Sequence, residues 1–223
     1  MEKGMITFFT VQKENKGHIK VIQDNALKSW QLLGQEVLVL EDCKCNQYGT
    51  PLVDSIFETA YLRASNDIVC YVNADIILMS DFVRKATDVI EQNDKFLMVG
   101  QRWDLDVTEP IDFSNDWERV VRERVFLKGK LHGPTGIDFF LFVKGMLSDL
   151  PPFAIGRIAW DNWVLWRARN IGATVVDVTE YVMVVHQNHD YSHLKVDVNT
   201  VTSWTGPETD ENLRLAEEHV GLI

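Results

Sequence analysis

Asp67-Ile68-Val69-Cys70-Tyr71-Val72-Asn73-Ala74-Asp75-Ile76-Ile77-Leu78-Met79-Ser80-Asp81 is the stretch on which the fold turns. Ile68 to Val72 are β-prone and apolar without alternation, which predicts a strand buried on both faces. Polar Asn73-Ala74-Asp75 follows, then a second apolar run, then Ser80-Asp81 as the start of a helix. In an open α/β sheet the crevice beyond the carboxyl ends of the strands receives ligands, so Asp75 is expected at the mouth of a pocket. A carboxylate or two, completed by water and substrate phosphates, suits Mg²⁺, and Mn²⁺ accepts the same oxygens. The alternative is that Asn73 and Asp75 only shape a turn.

Upstream, Met5 to Thr10 reads as a first strand and Val11 to Gly17 as the loop leaving it. Ile19, Ile22, Ala26, Trp30 and Leu33 are spaced by three or four, and Gly34 stands where a helix C-terminal cap belongs. Glu36 to Leu40 is a second strand, and Val53, Ile56, Phe57 and Ala60 form a second helical face. Successive crossovers of this kind predict a parallel sheet with right-handed connections.

Downstream, Phe82, Val83, Ala86, Val89 and Ile90 mark a helix and Phe96 to Gly100 a further strand. The character changes at Gln101: Arg102 to Asn115 reads as polar and irregular, and a charged helix follows from Asp116 to Lys128. Gly133 to Asp138 predicts a turn and Phe139 to Val143 a strand buried on both faces. The paired prolines make Leu150 to Arg157 a loop. Trp160, Trp163, Val164, Ala168 and Ile171 share one helical face, so both tryptophans are read as core. Ala173 to Val178 and Tyr181 to Val185 are strand candidates, the second delivering the histidine-rich segment His186 to His193. Asp210 to His219 is expected to be a peripheral helix. The prediction is one α/β domain with a mostly parallel central sheet and flanking helices. Residues 1–101 form a nucleotide-binding half, 102–193 an acceptor half and 194–223 a C-terminal extension.

Hydrophobic residues at 46% and charged residues at 25% are ordinary for a globular chain, and no apolar run has the length of a transmembrane segment. The net charge of −11 argues against nucleic acid as a partner, because phosphate backbones require clustered Lys and Arg. An anionic small molecule stays compatible, since a bound metal supplies local positive charge. The three cysteines, Cys43, Cys45 and Cys70, are an odd number with one inside the presumed strand, and no export signal is evident, so a reduced, cytoplasmic setting is expected.

The order of parts from Met5 to His193 resembles the GT-A glycosyltransferases, single-domain α/β enzymes that move a sugar from a nucleotide-sugar donor to an acceptor. More narrowly, Gly17-His18-Ile19, Asn25-Ala26, Ser29-Trp30, Gly49-Thr50-Pro51 and Tyr71 to Leu78 look like a family of small GT-A-like proteins from bacteria, plants and large algal viruses. The resemblance implies a nucleotide-diphosphate sugar, a UDP-sugar by family habit, a glycan or other hydroxyl acceptor, and Mn²⁺ or Mg²⁺. The family's acidic metal triplet falls on Asn73-Ala74-Asp75, with an amide at its first position. In these folds the last aspartate is generally the direct ligand, while the first contacts ribose or water. Asp42 corresponds to an acidic residue on the base or ribose, against the alternative of a solvated loop charge. Thr10 would line the nucleotide pocket.

The base motif falls on Trp160-Asp161-Asn162, where Asp161 would take the acceptor proton in an inverting reaction; the competing role is a helix cap. Several such enzymes close the metal shell with a late histidine, here His186 first and His189 second, with Asp190 a candidate to orient the imidazole. Asp138 would bind an acceptor hydroxyl or itself be the base. Trp103, after a strand end, is a sugar-stacking candidate. A sugar-phosphate nucleotidyltransferase would need a Gly-rich basic loop after the first strand, which Val11 to Gly17 lacks. A non-catalytic nucleotide- or carbohydrate-binding module with a degenerate metal site is the remaining alternative.

Overall fold

Strand and helix alternate through the first hundred residues of the computed structural model, save for one short strand that directly follows another; the structure describes residues 5–114, 116–189 and 205–220. In order these are β1 (Ile6–Thr10), α1 (Gly17–Leu32), β2 (Glu36–Val39), α2 (Val53–Arg63), β3 (Ile68–Val72), β4 (Ile76–Ile77), α3 (Ser80–Gln92) and β5 (Phe96–Val99). The second half adds β6 (Arg102–Leu105), α4 (Trp117–Lys128), β7 (Lys130–Leu131), β8 (Phe139–Val143), α5 (Trp160–Asn170), β9 (Thr174–Asp177), β10 (Val184–Gln187) and α6 (Pro207–Val220). Gly34 adopts φ 69° just after α1, the left-handed turn for which a glycine is suited.

The central sheet has the order β2-β1-β3-β8-β5-β9. β1 is parallel to β2 and β3, and β5 to β9, while β8 runs antiparallel to both β3 and β5. Period-two alternation sorts its side chains. Phe9, Val69, Tyr71, Phe140 and Phe142 enter a cluster with α2, α5 and α6; Phe8, Cys70, Val72, Phe139 and Leu141 enter one with α1 and α3. Layers on both faces explain why β3 and β8 read as continuous apolar runs.

A second sheet, β4-β10-β6-β7, departs from the expectation of an irregular segment after Gln101. Arg102 to Leu105 is a strand parallel to β10, and β10 is antiparallel to β4 with His186 opposite Ile76. His186 therefore lies within a strand instead of following one. Trp103, expected free for sugar stacking, packs partly buried against the cluster containing Val121 and Val125 of α4. At α3, Ser80 is the first helical residue, where the sequence places the helix start. Its N–H and hydroxyl both donate to Glu118 of α4, at 2.9 and 2.7 Å. Cys43, Cys45 and Cys70 are free thiols. Among the described residues no helix is long and apolar enough to cross a membrane.

Candidate functional site

The segment after β3 is held by buried polar groups of α1 and β10. Trp30 Nε1 donates to the Ile76 carbonyl at 2.8 Å, and the Leu78 N–H donates to Ser29 Oγ at 3.2 Å. Gln187, fully buried, donates its side-chain amide to the carbonyls of Ile22 (2.8 Å) and Asp75 (3.1 Å) and accepts from Asn25 Nδ2 at 3.0 Å. Each of these groups finds partners, so the web fixes the backbone of Asp75 without leaving orphaned amides.

Asp75 is 7% exposed. Its Oδ2 lies 3.1 Å from His189 Nε2, 3.5 Å from Lys13 Nζ and 3.9 Å from His186 Nε2. Burial pushes its carboxyl pKa up, but the His189 hydrogen bond and the charges of His186 and Lys13 prevail and hold it well below the usual carboxylate range. Burial lowers the pKa of His186, with Asp75 pulling the other way. Its Nδ1 faces Asp104 Oδ1 at 3.5 Å, and Asp104 is itself held by Arg102 Nε (2.9 Å) and His132 Nδ1 (2.8 Å).

The potential ligand atoms of Asp75, His186 and His189 all lie within 4.8 Å of one another. Neighbouring ligands on an octahedral cation with bonds of ~2.1 Å sit about 3 Å apart, a spacing the Asp75–His189 pair already has at 3.1 Å. Among the described residues Asp75 Oδ1 is buried with no hydrogen-bond partner, an acceptor beside two imidazoles. This donor set fits a divalent cation, the imidazoles favouring Mn²⁺ over Mg²⁺. Asp190 and His193 lie outside the described residues.

A cleft of about 280 Å³ opens beside Asp75, walled by Val11 to Lys13, Gly49 to Pro51, Asn73 to Asp75 and Ile155 to Arg157. Thr10 does not line it. It is fully buried beneath that wall, its hydroxyl donating to the Val11 carbonyl at 3.3 Å. Asp42 does not line it either and pairs with Arg63 at 2.8 Å on the exposed surface. Arg157 is held at the cleft by Glu208 of α6 (2.5 Å), which also accepts from Asn46 Nδ2 at 2.7 Å. The C-terminal helix is thereby tied to two walls.

Asn73 bridges two partners. Tyr71 Oη donates to its Oδ1 at 2.9 Å, and its Nδ2 donates to Asp138 Oδ1 at 2.6 Å, while Arg102 Nη1 donates to Asp138 Oδ2 at 2.7 Å. Both oxygens of Asp138 are therefore engaged. The amide at position 73 has a physical reason, since a carboxylate there would face Asp138 across a hydrogen-bond distance. In Asn73→Asp the like-charge contact raises the folded pKa of the pair above the unfolded aspartate value of ~3.9. The resulting loss of stability relative to wild type should be largest at neutral pH and shrink as pH falls through the raised pKa. Thermal melts of both proteins across pH 4–8 measure this.

Asp161 is the second residue of α5, after Ala159, which takes φ 85° at the N-cap position. Its Oδ1 accepts from the Asn162 N–H at 2.9 Å. Trp160 stands edge-on to Tyr71, ring centroids 5.4 Å apart, which brings the start of α5 to the end of β3. Burial raises the Asp161 pKa, the neighbouring N–H groups lower it and Asp138 raises it again, the net direction being upward. Trp160 and Trp163 are core, as their spacing predicts.

No protein-family profile and no curated protein sequence matches the chain. Solved structures do. GalNAc-T7 with UDP, GalNAc and Mn²⁺ matches 96% of this chain and 48% of its own at TM-score 0.55 and 10% identity. TarS 1-349 of S. aureus in complex with UDP-GlcNAc matches 96% of this chain and 71% of its own at TM-score 0.53 and 13% identity. The fold is that of the GT-A glycosyltransferases. Glucosyl-3-phosphoglycerate synthase from Mycobacterium tuberculosis, in complex with Mn²⁺, UDP and phosphoglyceric acid, shares the GT-A fold over 99% of this chain and 80% of its own, at 0.52 and 12%.

Within this GT-A fold Asn73, Asp75, Asp138, His186 and His189 are linked through contacts, and the start of α5 adjoins them. Lys13, Gln23, Arg102, Asp104, His132 and Gln187 escaped the sequence reading, in which Asn25 figures only through the resemblance carried by Asn25-Ala26. Gln23, Asn25 and Ser29 had a readable signal, being polar residues interleaved with the apolar face of α1.

Proposed function

We infer that the protein is a metal-dependent glycosyltransferase that moves a sugar from a nucleotide-diphosphate sugar, UDP-sugar favoured, to a hydroxyl acceptor with inversion. The observation that carries this reading is the Asp75, His186 and His189 cluster beside a cleft at the strand ends of a GT-A fold. Solved neighbours of that fold were crystallised with UDP and Mn²⁺. Asp75, His186 and His189 would hold the cation, which when bound supplies positive charge to the departing diphosphate. The cleft walls at Val11 to Lys13 and Gly49 to Pro51 would receive the nucleotide, and Arg157 adds a second cation toward the donor.

Asp161 acts as the general base. It takes the proton of the acceptor hydroxyl as that oxygen attacks the anomeric carbon, and its raised pKa strengthens it for the task. Asp138, with both oxygens taken by Asn73 and Arg102, is a positioning residue in this scheme. The three free thiols support a reducing, cytoplasmic setting.

Calorimetric titration with UDP, GDP and dTDP, each with Mn²⁺ and with EDTA, tests the donor site. One nucleotide should bind in Mn²⁺ and lose that binding in EDTA; failure of all three in Mn²⁺ rejects the reading. A binding module without transfer is the second reading, favoured by Asn73, whose amide supplies no second carboxylate. Release of free nucleotide from the matching nucleotide-sugar over time separates the two.

A further inference from the structure

Lys13 belongs to no expected role, yet among the described residues it is the lysine whose ammonium pairs with the buried carboxylate. Its Nζ lies 3.2 Å from His189 Nε2 and 3.5 Å from Asp75 Oδ2, and with the 3.1 Å between those two atoms it closes a triangle. The position is built. The Lys13 N–H donates to Gln23 Oε1 at 2.7 Å, and Gln23 Nε2 donates back to the Lys13 carbonyl at 3.3 Å, with Gln23 only 1% exposed. The backbone is thus clamped, while the side chain remains 40% exposed and lines the cleft. A buried carboxylate needs a positive partner, and here an ammonium supplies it.

The atoms that face this ammonium are those a metal would use. A cation coordinated by Asp75 Oδ2 and His189 Nε2 would take the ammonium's place, since Lys13 Nζ lies 3.5 and 3.2 Å from those two atoms. The four-carbon stem of lysine is flexible, and the cleft beside it offers room to swing.

We propose that Lys13 occupies the cation position of the Asp75–His189 pair while metal is absent, and that metal entry displaces its ammonium into the cleft, where it binds the donor's diphosphate. This rests on the donor-site reading above. The site is then charge-balanced in both states: ammonium on carboxylate without metal, metal on carboxylate and ammonium on phosphate with it. Lys13 consequently opposes binding of metal alone and favours binding of metal and nucleotide together.

The test is Mn²⁺ affinity by electron paramagnetic resonance on wild type, Lys13→Met and Lys13→Gln, followed by UDP titration in saturating Mn²⁺. Both variants should bind Mn²⁺ alone more tightly, on the order of tenfold, and UDP in Mn²⁺ more weakly by a similar factor, the scale of one lost charged hydrogen bond. The opposite signs are the signature, because a merely disturbed loop weakens both. Equal Mn²⁺ affinity in the three proteins, or weaker affinity in both variants, overturns the role of Lys13 alone. Absence of Mn²⁺ binding in all three overturns the donor-site reading and this inference with it.

Discussion

Asp161→Asn is expected to lower turnover by ~10²–10⁴-fold while UDP affinity in Mn²⁺ stays within about twofold of wild type. The amide keeps the shape and can still accept the Asn162 N–H, but it cannot take a proton. The stability arm separates base from cap. The folded pKa of Asp161 is raised, chiefly by burial, so the carboxylate is easier to ionise in the unfolded chain than in the fold. Its protonated form favours folding below the unfolded value of ~3.9, and that contribution disappears as pH rises through the folded pKa. At neutral pH a charge-free asparagine therefore relieves a penalty, and the variant should melt at or above the wild-type temperature. A carboxylate that only caps the helix predicts intact turnover and a loss of roughly 0.3–1 kcal/mol, the charge removed from the helix N-terminus, since the amide keeps the hydrogen bond. Steady-state kinetics with thermal melts of the same preparations decide between them. The acid limb of the kcat profile should also lie above the ordinary aspartate range.

Asp75→Asn should weaken metal-dependent UDP binding by ~100-fold or more, since even outer-shell partners of metal ligands are worth 10- to 100-fold. The isosteric amide retains one oxygen but removes the charge that pairs with Lys13 and His189. The metal-free protein provides an independent reading. The folded pKa of Asp75 is depressed, because contacts with His189, His186 and Lys13 outweigh burial. Its ionised form therefore stabilises the fold above the unfolded value of ~3.9, and the contribution fades as pH falls from there through the folded pKa. In EDTA, wild type should melt above Asp75→Asn at pH 7, with the gap closing below about pH 4. Calorimetry in Mn²⁺ and melts in EDTA measure the two effects separately.

The elements that were legible in sequence are those with strong apolar patterning. Ile68 to Val72 and Phe139 to Val143 are covered on both faces and read as unbroken runs, and Val53, Ile56, Phe57 and Ala60 follow the helical period. Of the small sheet only β10 was legible, in part, through the strand candidate Tyr181 to Val185. The sheet's strands are two to four residues long, and β6 carries the polar Arg102 and Asp104 because those side chains build the network around Asp138 and His186. Such strands exist through pairing with partners remote in sequence, which no local period records.

The candidate site shows the same division. Asp75 was visible because a carboxylate at the end of a buried strand is conspicuous, and the histidine-rich segment because it follows an apolar run. Lys13 was not, being a lone lysine in a polar loop that only the fold brings to residues 75 and 189. Thr10 and Asp42 were assigned by their position in the fold plan, and here one supports the cleft wall from below while the other pairs with Arg63 outside it.

The account stands or falls on whether Asp75, His186 and His189 hold a cation that faces a bound nucleotide. Crystals grown with UDP and MnCl₂, measured at the manganese absorption edge, address this directly. The account predicts an anomalous peak within bonding distance of Asp75 and His189, with the diphosphate against its open side in the cleft walled by Lys13 and Arg157. A nucleotide bound elsewhere, or bound in this cleft with no anomalous peak at Asp75, would contradict it.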